Sequence, residues 1–147
     1  MDITIRAAEA ADLPEVLAMS DALIDEGCCN GMVRDSIEYL QKYHIQLAFA
    51  EGEIIGYAYG EAAESSRQIG DCRKDDQFYD LEMIYVKPEY RSSGAGHALF
   101  AAQQTYARSL GLATLRLTAV SKDWEKLLRF YTSQGMDFYW ATLSMTL

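Results

Sequence analysis

The chain has 147 residues, half of them hydrophobic and 24% charged, and no apolar run approaches the ~18–20 residues of a membrane span. Its net charge of −9 is unevenly divided: residues 1–82 carry 18 acidic and 6 basic side chains, residues 83–147 carry 4 and 7. That balance argues against nucleic acid, which needs a basic footprint, and favours a positively charged partner of the acidic half.

The size predicts one domain spanning 1–147. Met1–Arg6 lacks the basic, apolar and small-residue regions of a signal peptide, so a cytoplasmic protein is expected. Cys28, Cys29 and Cys72 show no zinc-type spacing, and adjacent cysteines do not easily bridge, so reduced thiols and no metal are expected.

Ile3–Arg6 alternates as a half-buried strand does. Asp12, Pro14 and Glu15 then predict an acidic N-cap and a helix running to about Asp25. Gly27-Cys28-Cys29-Asn30-Gly31 breaks it, and Met32–Tyr43 reads as a second helix. Ile45–Ala50 and Glu53–Gly60, joined at Glu51-Gly52, predict a hairpin rich in β-branched and aromatic residues. Residues 61–77 read as a long polar loop or an extended hairpin tip, and Phe78–Val86 as the next strand. A helix follows Gly94 and closes at Gly111; Thr114–Val120 is a strand. From Asp123 a helix brings Trp124, Leu127, Leu128 and Tyr131 to one face and ends at Gly135; Asp137–Leu147 is a last, partly alternating strand. The order predicts an α/β fold: a mixed, mostly antiparallel sheet with helices on both faces and a parallel βαβ unit across 78–120. Phe138, Tyr139, Trp140, Leu143, Met145 and Leu147 give the last strand one apolar face too many, so a homodimer is expected.

The most informative stretch runs from Ile84 to Phe100. It is a strand, a turn, a small-residue loop and a helix start. Backbone N–H groups at a helix start have no intrahelical partner, and with the helix dipole they make an anion site. Gly94 and Gly96 let a ligand approach closely. The Gly-Lys-Ser/Thr of a nucleoside triphosphatase is absent, and no second half of a dinucleotide fold follows.

Val86-Lys87-Pro88-Glu89-Tyr90-Arg91-Ser92-Ser93-Gly94-Ala95-Gly96 resembles the acetyl-coenzyme A motif of the GNAT superfamily of N-acetyltransferases: Arg or Gln, two residues, Gly, one residue, Gly or Ala, just after a strand. Phe130-Tyr131-Thr132-Ser133-Gln134-Gly135-Met136 resembles the family's second motif, Phe-Tyr-x-x-x-Gly-Phe, and the element order matches over nearly the whole chain. Leu81-Glu82 before Ile84-Tyr85-Val86 is similar to a segment of some aminoglycoside N-acetyltransferases.

The resemblance implies acetyl-CoA as co-substrate, with a splayed βαβ unit at the centre of the fold. Its pyrophosphate would lie on Ser92, Ser93, Gly94, Ala95 and Gly96, with Arg91 adding charge, and its pantetheine arm along Ile84, Tyr85 and Val86. A main-chain N–H there would polarise the thioester carbonyl. Tyr131 would be the general acid. Glu82, with Asp80 in reserve, is a candidate base, directly or through water; alternation puts it on the face of Ile84 unless a bulge intervenes. Trp124 stands where many relatives carry an Asn that touches the cofactor arm, which keeps a non-catalytic coenzyme A-binding regulatory or interaction module as the alternative. The expected acceptor is a cationic primary amine: a small amine, aminoglycoside, polyamine or protein amine. Asp21, Asp25, Glu26, Asp35, Glu38, Asp75 and Asp76 are the carboxylates expected to wall its site.

Overall fold

The computed structural model of the chain describes residues 1–68, 73–139 and 141–146. Cys72 and the Gly70-Asp71 pair, and Trp140 and Leu147 of the expected last strand, lie outside the described residues. Among those described, five strands form one sheet in sequential order: β1 (Thr4–Ala7), β2 (Gln46–Ala50), β3 (Glu53–Glu64), β4 (Gln77–Val86) and β5 (Leu115–Arg116). Neighbours are antiparallel except β4 and β5, which are parallel. The helices are α1 (Leu13–Asp25), α2 (Ile37–Leu40), α3 (Ala95–Ser109) and α4 (Trp124–Ser133). None of the described helices is long and apolar enough to cross a membrane.

Each sheet face carries its own core. Val16, Met19 and Leu23 of α1 and Leu40 of α2 pack with Leu47, Tyr57, Tyr59 and Tyr85. Ala95 and Leu99 of α3 pack with Ala48, Ala50, Ile55 and Ala58, small residues that let the helix lie close to the strands. The fully buried Gln103 is satisfied: its amide donates to the Ala58 carbonyl (2.9 Å) and its oxygen accepts from the Tyr79 hydroxyl.

The mixed sheet, its parallel pair and the helices on both faces match the expectation. The ladder of β3 and β4 runs out to Glu64 and Gln77, so residues 61–64 belong to an extended hairpin. Four expectations need correction. Asp12 does not cap α1 with its side chain; its carboxylate takes Arg6 (2.7 and 2.9 Å) and the Glu9 N–H (2.8 Å), closing the 3-10 turn Ala10–Asp12. The second helix is only Ile37–Leu40, capped by Ser36. Before it, Arg34 reaches Asp21 and Asp25, and Asp35 accepts from Ser20, so α1 holds those residues in place of a helical turn.

The strand expected over 114–120 shrinks to β5 because the chain turns toward the loop after α1: Asn30 N–H donates to the Val120 carbonyl (2.8 Å) and Lys122 N–H to the Cys28 carbonyl (2.8 Å). Residues 137–139 and 141–146 form no strand, and Leu143 is 94% exposed. With β5 two residues long, no ladder is available for them to extend.

Candidate active site

Lys87 N–H donates to the Ile55 carbonyl (2.9 Å), which makes Val86 and Gly56 a non-hydrogen-bonded pair in the antiparallel ladder. The N–H and C=O groups of Ile84 and Val86 therefore point away from β3. On that side β5 meets β4 only at Tyr79 and Asp80. The divergence of β5 leaves an open backbone edge at Ile84–Val86. Tyr85, between them, turns its side chain to the α1 core.

The loop after β4 passes through the 3-10 turn Pro88–Tyr90 and bends at Ser92, whose φ of 65° is left-handed in a non-glycine residue. Gly94, at φ 96°, caps the 15-residue α3, and Ser93 Oγ accepts from the Ala95 N–H (3.3 Å). Among the described residues, no protein acceptor takes the N–H of Ser92, Ser93 or Gly94. Such turns, joined to a helix start, form a concave anion site. Gly96 has a different reason: a Cβ there would stand 3.3 Å from the Phe130 ring, so this glycine lets α4 close on α3.

Arg91 is already engaged. Its Nη2 donates to both carboxylate oxygens of Glu26 (2.8 and 2.7 Å), and its Nε to the Val86 carbonyl (3.0 Å). Lys87 pairs with Glu15 (2.9 Å). Both cations of the motif are thus tied to α1, and Glu26 stands at the loop before α3.

The carboxylates of the hairpin are arranged differently. The ladder pairs Tyr59 with Met83 and Gly60 with Leu81, leaving Glu82 as the extra residue of a β-bulge. Glu82 therefore does not share the face of Ile84, and its electrostatic neighbours are Asp80 and Glu61. Gly60 permits the bulge: any Cβ there would collide with the Asp80 carbonyl. Partial burial, then the charges of Asp80 and Glu61, raise the Glu82 carboxyl above its ordinary pKa. Burial and Glu61 raise Asp80 as well, against the opposing pull of Arg116, which lies over the Phe78 ring. The charges of Glu61 and Glu82 also reach Tyr43, whose hydroxyl bonds that of Tyr39 (2.9 Å) and whose ring lies 4.6 Å from Tyr59.

Of the other expected acidic residues, Asp21 and Asp25 are occupied by Arg34, Asp35 by Ser20, and Asp76 by the Arg73 N–H. Glu61 was missed from the sequence. Gly60 inside a strand pattern was the available signal for the bulge and for Glu61 beside it.

Tyr131 lies on α4 between Phe130 (5.0 Å between ring centres) and Phe100 (5.9 Å), and burial pushes its phenol up to about 12. Trp124 does not join this inward face. It is 61% exposed, because neither β5 nor residues 137–139 provide sheet to cover the first turn of α4. No hydrogen bond among the described residues joins Tyr131 or Trp124 to the open edge or to Glu82.

The model of the Acetyltransferase (GNAT) family matches residues 17–136, and the chain belongs to that family. No curated protein sequence matches it significantly. Among solved structures, aminoglycoside N-acetyltransferase AAC(6')-Iy in complex with CoA is 18% identical with a TM-score of 0.78, over 99% of this chain and 95% of that one. An acetyltransferase of Trypanosoma brucei is 21% identical (TM-score 0.68), over 99% of this chain and all of that one. An aminoglycoside acetyltransferase from an uncultured soil metagenomic sample, in complex with trehalose, is 19% identical (TM-score 0.69), over 99% and 96%.

Proposed function

We propose that this chain transfers the acetyl group of acetyl-CoA to a primary amine of a cationic acceptor. The observation that carries the reading is the carboxylate trio of Glu61 on β3 and Asp80 and Glu82 on β4, the strand whose open edge leads to a bare anion site. The pyrophosphate binds the amides from Ser92 to Gly96, and the pantetheine arm pairs with Ile84 and Val86. The acceptor's positive charge meets the trio and the rings of Tyr39, Tyr43 and Tyr59.

Glu82, as base, takes a proton from the acceptor ammonium directly or through water, and its raised pKa makes it a stronger base than an ordinary carboxylate. The neutral amine attacks the thioester carbonyl, whose developing negative charge is stabilised by a main-chain N–H of the open edge. The C–S bond breaks, and the departing thiolate takes the proton of Tyr131. The high pKa of that phenol keeps it protonated until the thiolate forms.

The test is a panel of amines mixed with acetyl-CoA and read by thiol release. Cationic di- and polyamines should turn over, and Tyr131→Phe should lower kcat on the order of 10²-fold with coenzyme affinity unchanged. Absence of thiol release with every amine, in a protein that still binds coenzyme A, supports the non-catalytic module. Exposed Phe138, Leu143 and Met145 favour a homodimer, which light scattering of the purified protein tests.

A further inference from the structure

We infer that Glu26 lowers the affinity of the site for its co-substrate by holding the charge of Arg91, an inference that rests on the acetyl-CoA reading above. Glu26 is the C-cap of α1, and its N–H donates to the Ala22 carbonyl at 2.9 Å, so the helix fixes where its carboxylate stands. From there it accepts two bonds from Arg91 Nη2 and one from the Tyr85 hydroxyl (3.0 Å). The Arg91 guanidinium lies 5.7 Å from the centre of the Tyr85 ring, and its Nε donates to the Val86 carbonyl.

Two determinants of co-substrate binding are thereby blocked at once. The Val86 carbonyl, on the open edge of β4, is occupied by Arg91 where an amide N–H of the pantetheine arm would bond. The Arg91 charge, four residues before the start of α3, is neutralised by a carboxylate before a diphosphate arrives. A diphosphate at Ser92–Gly94 then meets an Arg–Glu pair of zero net charge. Releasing Arg91 from Glu26 restores a cation to the loop and frees the Val86 carbonyl in the same movement. Glu26 is thus a positioning residue that sets the affinity through Arg91.

The Lys87–Glu15 pair supplies a control. It joins the same helix to the same loop, yet neither side chain bonds the open edge.

The experiment is calorimetric titration of coenzyme A into wild type, Glu26→Gln, Arg91→Gln and the double variant, with Glu15→Gln alongside. Glutamine keeps the shape of Glu26 and removes only its charge. The expected result is a Kd about three- to fivefold tighter for Glu26→Gln, the range of one partly exposed ion pair, and more sensitive to salt. The KM for acetyl-CoA falls with it while kcat stays, Glu15→Gln stays within about twofold, and the gain vanishes in the Arg91→Gln background.

A Kd for Glu26→Gln equal to or weaker than wild type, in a protein of unchanged fold, overturns the inference, because a merely structural role gives that result. So does a gain that survives without Arg91. If Glu26→Gln does not fold, Glu26→Asp, which withdraws the carboxylate by one methylene, must tighten binding in the same direction. Wild type that binds no coenzyme A overturns the acetyl-CoA reading itself, and this inference with it.

Discussion

Around α1 the carboxylates meet cations: Asp12 meets Arg6, Asp21 and Asp25 meet Arg34, Glu15 meets Lys87, and Glu26 meets Arg91. On the β3–β4 hairpin Glu82 meets the like charges of Asp80 and Glu61, and Asp80 meets Glu61 against the pull of Arg116. Asp12 in the first group and Asp80 and Glu82 in the second shift in opposite directions. The Arg6 guanidinium and the Glu9 N–H hold the Asp12 carboxyl at about 2. Burial and like charge raise Asp80 and Glu82. The Asp12 interaction therefore contributes stability that is present above its unfolded pKa and lost as pH falls toward 2. Asp80 and Glu82 do the reverse: they detract from stability once the pH exceeds their raised values, and acidification relieves them. The α1 region uses charge to hold the fold. The hairpin carries charge that works against the fold, an arrangement that the proposed acceptor site would use.

The largest effect should come from Glu82→Gln. With a cationic amine at neutral pH, kcat/KM should fall on the order of 10³-fold while the melting temperature rises, since a repelling charge has gone. Unchanged activity would end the role of Glu82 as base, and a lower melting temperature would break the contrast between the two regions. Next is Gly60→Ala, whose Cβ has no room beside the Asp80 carbonyl. It should destabilise the protein by about 1–3 kcal/mol in denaturant unfolding and lower activity, because the bulge that orients Glu82 must shift. Full activity in that variant would separate the bulge from function.

The smallest effect is in acid. Asp12→Asn should lose less stability than wild type between about pH 4 and 2, and parallel curves would show that the Arg6 pair holds nothing.

The sequence showed most clearly what is local. The Ile84–Phe100 stretch announces a strand, a turn and a helix start through its own residue types, and β4, the loop and α3 stand where those residues place them. Elements defined by a partner were less legible. The bulge at Glu82 exists only in the register of β3 against β4, and alternation along one strand cannot show it; Gly60 was its only trace. The partly alternating residues 137–147 read as a strand, but a strand needs a ladder, and β5 ends at Arg116. Trp124 fitted the helical stripe of α4 and is nevertheless exposed, because periodicity names a face without saying what covers it. The charge of Arg91 was legible and its engagement was not, since Glu26 lies far away in the chain and only the packing of α1 brings them together.

The central claim is that the carboxylates of Glu61, Asp80 and Glu82 receive a cationic amine for acetylation. Its most direct test is the initial rate of thiol release from acetyl-CoA with a linear diamine and with the monoamine of equal length, in wild type and in Glu61→Gln. Glu61 carries no proposed role in the chemical step, so it reports on the charge of the site alone. The prediction is a preference for the diamine that collapses in the variant while the monoamine rate holds. Equal rates with both amines in wild type, or a preference untouched by the loss of Glu61, would contradict the claim.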